Sequence, residues 1–275
     1  MRLRSCLLSC LLALAPGAAL PVEPPPLVVG SYEYPGRDRA AAIAPLAEFL
    51  ARRSGRAVQL RLWPSPSALV AGFRAGEADV IVPNLHAFLQ ARGQAAVLPV
   101  PDVPLAQADR YRSVLVGRDV TRLEDLARRA KGLRLALVST DSATGGFVPL
   151  ARLRALGLEQ DRFAAVVHAG SHEAVLARLR EGEADVAGLA ADIYDASPPD
   201  GVHELWRSDP LPPGPLLCRR TAGLPCNDIA AWLLGAHVDA PDVMRALRAG
   251  WPEFGEAERF VDAGDVLARL PGETP

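Results

Sequence analysis

The sequence predicts an α/β protein of two lobes, with two parallel-rich sheets joined by two crossover strands. An internal repeat carries this prediction: Ala68–Val80 reads ALVAGFRAGEADV, and Ala174–Val186 reads AVLARLREGEADV. Each copy has apolar residues at helical spacing, then a glycine typical of a helix C-terminus, then the start of an apolar strand. Strands and helices alternate around both copies, which favours parallel sheets. One large doubly wound sheet is the alternative, and the repetition favours two lobes.

The predicted elements follow the same order in both halves of the chain. The first half has strand Leu27–Gly30, helix Arg39–Ser54, strand Val58–Leu62, the repeated helix and strand Val80–Val82. The second half has strand Leu133–Val138, helix Phe147–Leu156, strand Ala164–His168, the repeated helix and strand Val186–Leu189. We therefore expect one such unit in each lobe.

Two segments outside these units are interpreted as the crossovers: the β-rich run Arg110–Gly117 and the later segment Leu205–Cys218. The first lobe is then expected to begin with residues 20–112, the second to span 113–207, and residues 208–275 to return to the first lobe. Two crossovers form a hinge, and hinged lobes are suited to the capture of a ligand in the cleft between them.

The first 19 residues have the order of a secretory signal peptide: Arg2 and Arg4, an apolar run over Leu7–Leu14, then small residues. A membrane anchor is the alternative, but the run is too short to cross a hydrocarbon core of about 30 Å. A lipoprotein cleavage box at Leu7–Cys10 is a second alternative, although cleavage there would leave little apolar sequence before it. We expect export to the periplasm with cleavage near residue 20.

Charge excludes one class of partner. The chain has 30 basic and 32 acidic residues, a formal net charge of −2, whereas nucleic-acid binding favours a basic surface. We expect no nucleic-acid partner and a monomer.

The predicted mature chain keeps two cysteines, Cys218 and Cys226, separated by a short loop. In an oxidising compartment a disulfide between them is favoured over two free thiols. A metal site is the alternative, but no second pair or nearby histidine completes a ligand set. No metal and no cofactor are expected.

The loop Ser139–Gly146 lies between a predicted strand and a predicted helix. Its backbone N–H groups then open a helix N-terminus, which carries a partial positive charge and binds phosphate-like anions. Ordinary helix capping by Ser or Thr remains the structural alternative. His172 opens the repeated helix of the second lobe at the same sheet edge, where open α/β sheets bind ligands.

Several motifs in this order resemble the substrate-binding proteins of phosphate, phosphite and phosphonate importers, which have a type II-like two-lobed periplasmic binding fold. The matching segments are Tyr111–Ser113, Asp141–Gly145, Ser171–His172, Gly182–Asp185, Trp206–Gly214 and Gly250–Phe254. The resemblance covers nearly all of the predicted mature chain. It implies a small phosphorus oxyanion as ligand and a membrane ABC permease as partner.

The resemblance also implies the ligand contacts Tyr111, Ser142, Ala143, Thr144, Gly145 and His172. Family members usually have Thr at the position of Ala143, so one hydroxyl contact is absent here. Tyr32 is a further candidate from the first lobe, with Asn84 and His86 weaker ones. Members that carry aminophosphonates place carboxylates near the amine, which makes Asp192 and Asp195 candidates by position.

Three functions fit these residues. The first is the solute-binding component of an ABC importer, and the second is a sensor that presents the same cleft to a membrane kinase. The third is a hydrolase using Ser142 and His172, but Ser142 lacks the Gly-x-Ser-x-Gly elbow of such enzymes. We expect a non-enzymatic binder whose anion affinity rests on the Ser142–Gly145 helix terminus and His172. Because neither loop has a lysine, no cationic side chain is expected to be needed.

Overall fold

The computed structural model describes residues 24–221 and 223–264. The predicted signal peptide, residues 1–19, lies outside the described residues. Within them, none of the helices combines the length and the hydropathy needed to cross a bilayer.

Strands and helices alternate along most of the described chain. The strands are β1 (Leu27–Tyr32), β2 (Val58–Trp63), β3 (Val80–Ile81), β4 (Ala95–Val97), β5 (Val100–Pro101), β6 (Ser113–Arg118), β7 (Arg134–Leu137), β8 (Ala165–His168), β9 (Val186–Ala190), β10 (Val202–Arg207), β11 (Leu217–Arg219) and β12 (Phe260–Val261). The α-helices are α1 (Arg39–Ser54), α2 (Pro66–Arg74), α3 (Leu85–Ala91), α4 (Leu105–Ala108), α5 (Leu123–Arg129), α6 (Val148–Ala155), α7 (His172–Arg180), α8 (Ala191–Ala196), α9 (Cys226–Asp239) and α10 (Pro241–Gly250).

Two five-stranded sheets confirm the two-lobed α/β prediction. The first has the strand order β2-β1-β3-β11-β4 and the second the order β10-β6-β9-β7-β8. Strands β1, β2 and β3 are parallel, as are β7, β8 and β9. In both sheets the antiparallel strands include the ones that belong to the crossover segments, β6, β10 and β11. A short antiparallel pair, β5 with β12, is separate from both sheets.

The repeated helix-to-strand unit has the same structural role in each lobe. Asp79 accepts a hydrogen bond from the backbone N–H of Val28 at 2.9 Å, and Asp185 accepts one from that of Arg134 at 2.8 Å. Each carboxylate also pairs with an arginine, Asp79 with Arg219 at 2.6 Å and Asp185 with Arg134 at 2.8 Å. Each aspartate thus fastens its turn to the first strand of its own parallel unit.

The helix predicted from Phe147 is preceded by a π-helical turn, Ala143–Phe147, and α6 follows at Val148. The carbonyl of Gly145 accepts from Val138 N–H at 2.8 Å, and Pro149, four residues further on, has no N–H to donate to it. The chain therefore adopts a wider turn, in which Phe147 N–H donates to the Ser142 carbonyl at 2.8 Å.

The two crossover segments run side by side between the lobes. Ser113 N–H donates to Ser208 Oγ at 3.0 Å, and Ser208 N–H donates back to the Ser113 carbonyl at 2.9 Å. Leu211 N–H reaches the Tyr111 carbonyl at 2.8 Å. Reciprocal bonds of this kind tie the two hinge strands to each other.

The tail packs on the first lobe. Trp251 and Phe254 are fully buried in one apolar cluster with residues of α1 such as Ile43 and Leu46. Cys218 on β11 and Cys226 at the start of α9 form the predicted disulfide, with a Cα–Cα distance of 5.7 Å. The disulfide prediction is confirmed, and the bond joins the returning strand to the C-terminal helices.

Candidate functional site

A cavity of about 580 Å³ lies between the lobes and is bordered by both of them and by the first crossover. Seven of the eight residues predicted to contact ligand lie on its wall: Tyr32, Tyr111, Ser142, Ala143, Thr144, His172 and Asp192. The strand-to-helix loops named from the sequence therefore meet in one place.

The second-lobe wall is the N-terminus of the π-helical turn. Ser142 caps it, because its Oγ accepts the N–H of Gly145 at 3.1 Å. The N–H groups of Ala143 and Thr144 are the first two of this helix, where no carbonyl one turn back is present to receive them. They and the Ser142 O–H are donors available to an anion in the cavity.

His172 adds a donor of defined tautomer. Its Nδ1 lies 3.1 Å from the backbone N–H of Ala190 and accepts from it, so the proton of a neutral ring sits on Nε2. Nε2 is 3.4 Å from Thr144 Oγ1. Burial lowers the pKa of His172 to about 4, against a smaller opposite effect of Glu173. The imidazole is thus a neutral N–H donor at neutral pH.

Thr144 is buried and is bonded through its backbone to the crossover strand. Its side chain is 3% exposed, and its carbonyl accepts the hydroxyl of Ser113 on the crossover strand at 2.7 Å. Ala143, equally buried, lies in an apolar cluster with residues of the first lobe and presents no hydroxyl. The crossover strand and the π-helical turn are therefore bonded directly to each other.

Gly145 differs from its prediction as a ligand contact. It is not one of the described residues that line the cavity, and its N–H already donates to Ser142 Oγ. A Cβ at this position would lie 2.3 Å from Val138 Cγ2 and 3.0 Å from His172 Cε1. The glycine is needed because the helix packs closely on the strand and the imidazole, and its role is in packing.

Tyr32 and Tyr111 contribute phenol groups from the first lobe and the crossover. Burial raises the pKa of Tyr32 to about 12, with Arg39 opposing the rise, and raises the pKa of Tyr111 well above its ordinary value. Both remain neutral hydroxyls that can donate a hydrogen bond. Burial also raises the pKa of Asp192, and Arg37 is among the groups that oppose this effect.

The remaining candidates have structural contacts. Asn84 lines the cavity but caps α3 through Ala87 N–H at 2.8 Å and donates to the Asp141 carbonyl at 2.9 Å. His86 stacks on Phe147 with ring centroids 4.5 Å apart. Asp195 pairs with Arg207 at 2.7 Å. Asn84 and His86 thus connect the two lobes, and Asp195 stabilises the second.

Arginine is the residue type that the sequence reasoning missed. Arg37, Arg39 and Arg110 all line the cavity, and none of them is among the predicted site residues. Arg39 is the first residue of α1, where a cation opposes the helix dipole. This unfavourable position was the signal in the sequence for Arg39, because a cation at a helix N-terminus does not stabilise the helix and so indicates another role.

The fold is similar to that of solved binding proteins. PhnD1 from Prochlorococcus marinus, in complex with methylphosphonate, matches with a TM-score of 0.64 at 18% identity over 86% of this chain and 92% of that one. XAC2383 from Xanthomonas citri, bound to chloride, has a TM-score of 0.68 at 21% identity over 89% and 94%. A phosphonate ABC transporter binding protein from Pseudomonas aeruginosa has 0.66 at 18% over 89% and 84%.

A family model matches residues 33–259, which include every described residue of the predicted site except Tyr32. The model is that of the periplasmic substrate-binding protein of phosphonate ABC transporters. This match spans both lobes, both crossovers and the returning tail. The chain therefore belongs to the family of periplasmic substrate-binding proteins of phosphonate ABC transporters.

Proposed function

We propose that the protein captures a small phosphorus oxyanion, a phosphonate, phosphite or phosphate, in the cavity between its lobes and delivers it to the membrane permease of an ABC importer. The protein acts in the periplasm as a monomer, after removal of residues 1–19. The single observation that carries the proposal is the convergence of neutral donors on one wall of the cavity, from Ser142, Ala143, Thr144 and His172.

These donors suit a tetrahedral oxyanion. The helix N-terminus provides two N–H groups and the cap hydroxyl on one wall of the cavity, and the imidazole Nε2 lies beside Thr144. A hydrogen bond to a charged oxygen contributes about 1.5 to 3 kcal/mol. A few such bonds support tight binding of an anion without a lysine. The ligand named for PhnD1, methylphosphonate, is of the class that we propose here.

The arrangement around His172 supports binding over hydrolysis. A catalytic base in a Ser-His-Asp triad is oriented through Nδ1 by a carboxylate. Here Nδ1 accepts a backbone N–H from Ala190, so a carboxylate has no donor there to accept. Ser142 Oγ is engaged as a helix cap. We therefore propose that the protein performs no chemistry on its ligand.

Calorimetric titration of the mature chain tests this function. The panel is methylphosphonate, phosphite and phosphate, with sulfate and acetate as comparison anions. We expect at least one phosphorus anion to bind at least tenfold more tightly than either comparison anion. A phosphate ester incubated with the protein should show no turnover. Absence of binding to every phosphorus anion, or turnover of the ester that His172→Ala abolishes, would contradict the proposal.

A further inference from the structure

The first-lobe wall of the cavity contains a buried cation. Arg39 is 4% exposed, and its guanidinium lies 4.2 Å from the ring centroid of Tyr32 and 4.2 Å from that of Trp251. Tyr34 is a third aromatic neighbour at 5.4 Å. The two closest rings belong to β1 and to the tail, so the returning chain completes the pocket around the guanidinium.

The hydrogen bonds of this cation are incomplete. The Nε and Nη1 atoms of Arg39 are buried and have no partner anywhere in residues 24–221 and 223–264. Contact with aromatic faces recovers only a part of the free energy needed to remove a charge from water. Arg39 therefore carries an unmet demand for acceptor oxygens on the wall of the cavity.

The neighbouring acids do not satisfy this demand. Glu253 lines the cavity near Arg39, but burial raises its pKa, and attraction to Arg39 only partly opposes the rise. Asp192 also lines the cavity, where its electrostatic interactions include those with Arg37 and Tyr111. Glu33 and Glu256 are exposed residues of the wall, where water screens their charge.

The cavity has room for more than a phosphonate group. Its volume of about 580 Å³ lies within the range of roughly 300 to 1,000 Å³ that holds drug-sized ligands. The neutral donors occupy the second-lobe wall, while Arg39 lies on the first-lobe wall. A ligand that reached both walls would need a second polar group some distance from its phosphorus.

We infer that Arg39 forms a second subsite, which receives a carboxylate carried by the ligand, so that the preferred substrate is a carboxyalkyl phosphonate. The inference rests on the proposed function, since the phosphonate end occupies the Ser142–Thr144 turn. The carboxylate oxygens accept charge-assisted hydrogen bonds from the free N–H groups of Arg39. Contacts with the rings of Tyr32 and Trp251 hold the guanidinium in position.

Three ligands of similar length test the inference on the unaltered protein: 3-phosphonopropionate, propylphosphonate and 2-aminoethylphosphonate. A charged hydrogen bond of this kind corresponds to about a ten- to hundredfold change in Kd. We expect 3-phosphonopropionate to bind more tightly than propylphosphonate by that factor, and 2-aminoethylphosphonate to bind no better than propylphosphonate. Tightest binding of the amine, or equal binding of all three, would overturn the inference while leaving the proposed function standing. Binding of none of them, together with no binding of methylphosphonate, phosphite or phosphate, would remove both.

Variants assign the preference to Arg39. In Arg39→Met, which keeps an unbranched stem between the two rings, the Kd ratio of propylphosphonate to 3-phosphonopropionate should fall to about one. The control is Arg52→Met, an exposed arginine of the same helix, which should keep the parent ratio. A preference that persists in a folded Arg39→Met protein would contradict the assignment. If that variant does not fold, the three-ligand comparison on the parent protein still decides.

Discussion

His172 and Ala190 are joined by a hydrogen bond in which the histidine Nδ1 accepts the backbone N–H at 3.1 Å. Ala190 ends β9 and His172 begins α7. The bond between them therefore fixes the orientation of the imidazole ring, with Nε2 towards Thr144. Protonation of Nδ1 would break this bond. The neutral ring is therefore part of the folded structure as well as of the candidate site.

The first prediction concerns stability against pH. The pKa of His172 is about 4 in the folded protein and near 6.5 in an unfolded chain. Between these two pH values the unfolded state binds more protons than the folded state. The contribution of His172 to the free energy of unfolding is therefore complete above pH 6.5 and is lost as the pH falls towards 4, by roughly 3 kcal/mol at most. Urea unfolding across this range should show a shallower decrease for His172→Gln, whereas exposed His203→Gln should follow the parent protein. Equal slopes for the parent and His172→Gln would contradict this prediction.

The second prediction concerns the neutral donors. Thr144→Val and His172→Ala each remove a donor to the anion, and each should weaken binding of the best phosphorus ligand by about ten- to a hundredfold. Arg112→Ala should have a smaller effect, because Arg112 bonds to the carbonyls of Asp109 and Ser208 at 2.7 and 2.8 Å. Thr140→Val, an exposed position in the same loop, is the matched control for calorimetry. Full affinity in both donor variants, with loss in Arg112→Ala, would show that the anion lies elsewhere.

Much of this site follows from local sequence signals. The Ser142 cap and the His172 helix start depend on residues a few positions apart, and the repeat indicates that both lobes share one unit. Asp79 and Asp185 have structural roles in that unit, through their bonds to the backbone of Val28 and Arg134.

Contacts between residues far apart in the chain could not be predicted from such local signals. Arg39 becomes a buried wall residue only because Trp251 returns from the far end of the chain to stack on it. The π-helical turn forms because the N–H of Val138 donates to the carbonyl of Gly145, which is a contact between a strand and the helix after it. Neither of these two contacts produces a periodic pattern in the sequence from which it could be predicted.

The third prediction concerns the disulfide. Closing a loop with a sequence separation of 8 residues stabilises the folded state by about 2.5 kcal/mol in the chain-entropy description. The double variant Cys218→Ala, Cys226→Ala should therefore unfold roughly 5 to 10 °C lower by calorimetry. Mass spectrometry of the unreduced parent protein should find neither cysteine alkylated. Two alkylatable thiols in the exported protein would contradict the prediction.

The fourth prediction concerns closure of the lobes. His86 of the first lobe stacks on Phe147 of the second, a contact worth about 0.5 to 1.5 kcal/mol beyond its buried area. His86→Ala should shift the population towards open lobes and raise the Kd of the ligand about two- to tenfold. Gln90→Ala is the control, because it removes the 2.9 Å contact with His86 and keeps the stack.

Small-angle scattering measures the same equilibrium. Saturating ligand should reduce the radius of gyration of the parent protein, and without ligand His86→Ala should have a larger radius than Gln90→Ala. Identical profiles with and without ligand would indicate a rigid cleft in place of a hinge.

The strand order of the two sheets also has a consequence for biogenesis. Every strand of the second sheet comes from the continuous stretch Ser113–Arg207, so all of its partners are present once that stretch has emerged. The first sheet must instead leave a gap between β3 and β4 until β11 arrives. As the chain emerges from its N-terminus, the lobe that begins first is thus the lobe that is completed last, and its unfinished edge is exposed while the other lobe is already whole.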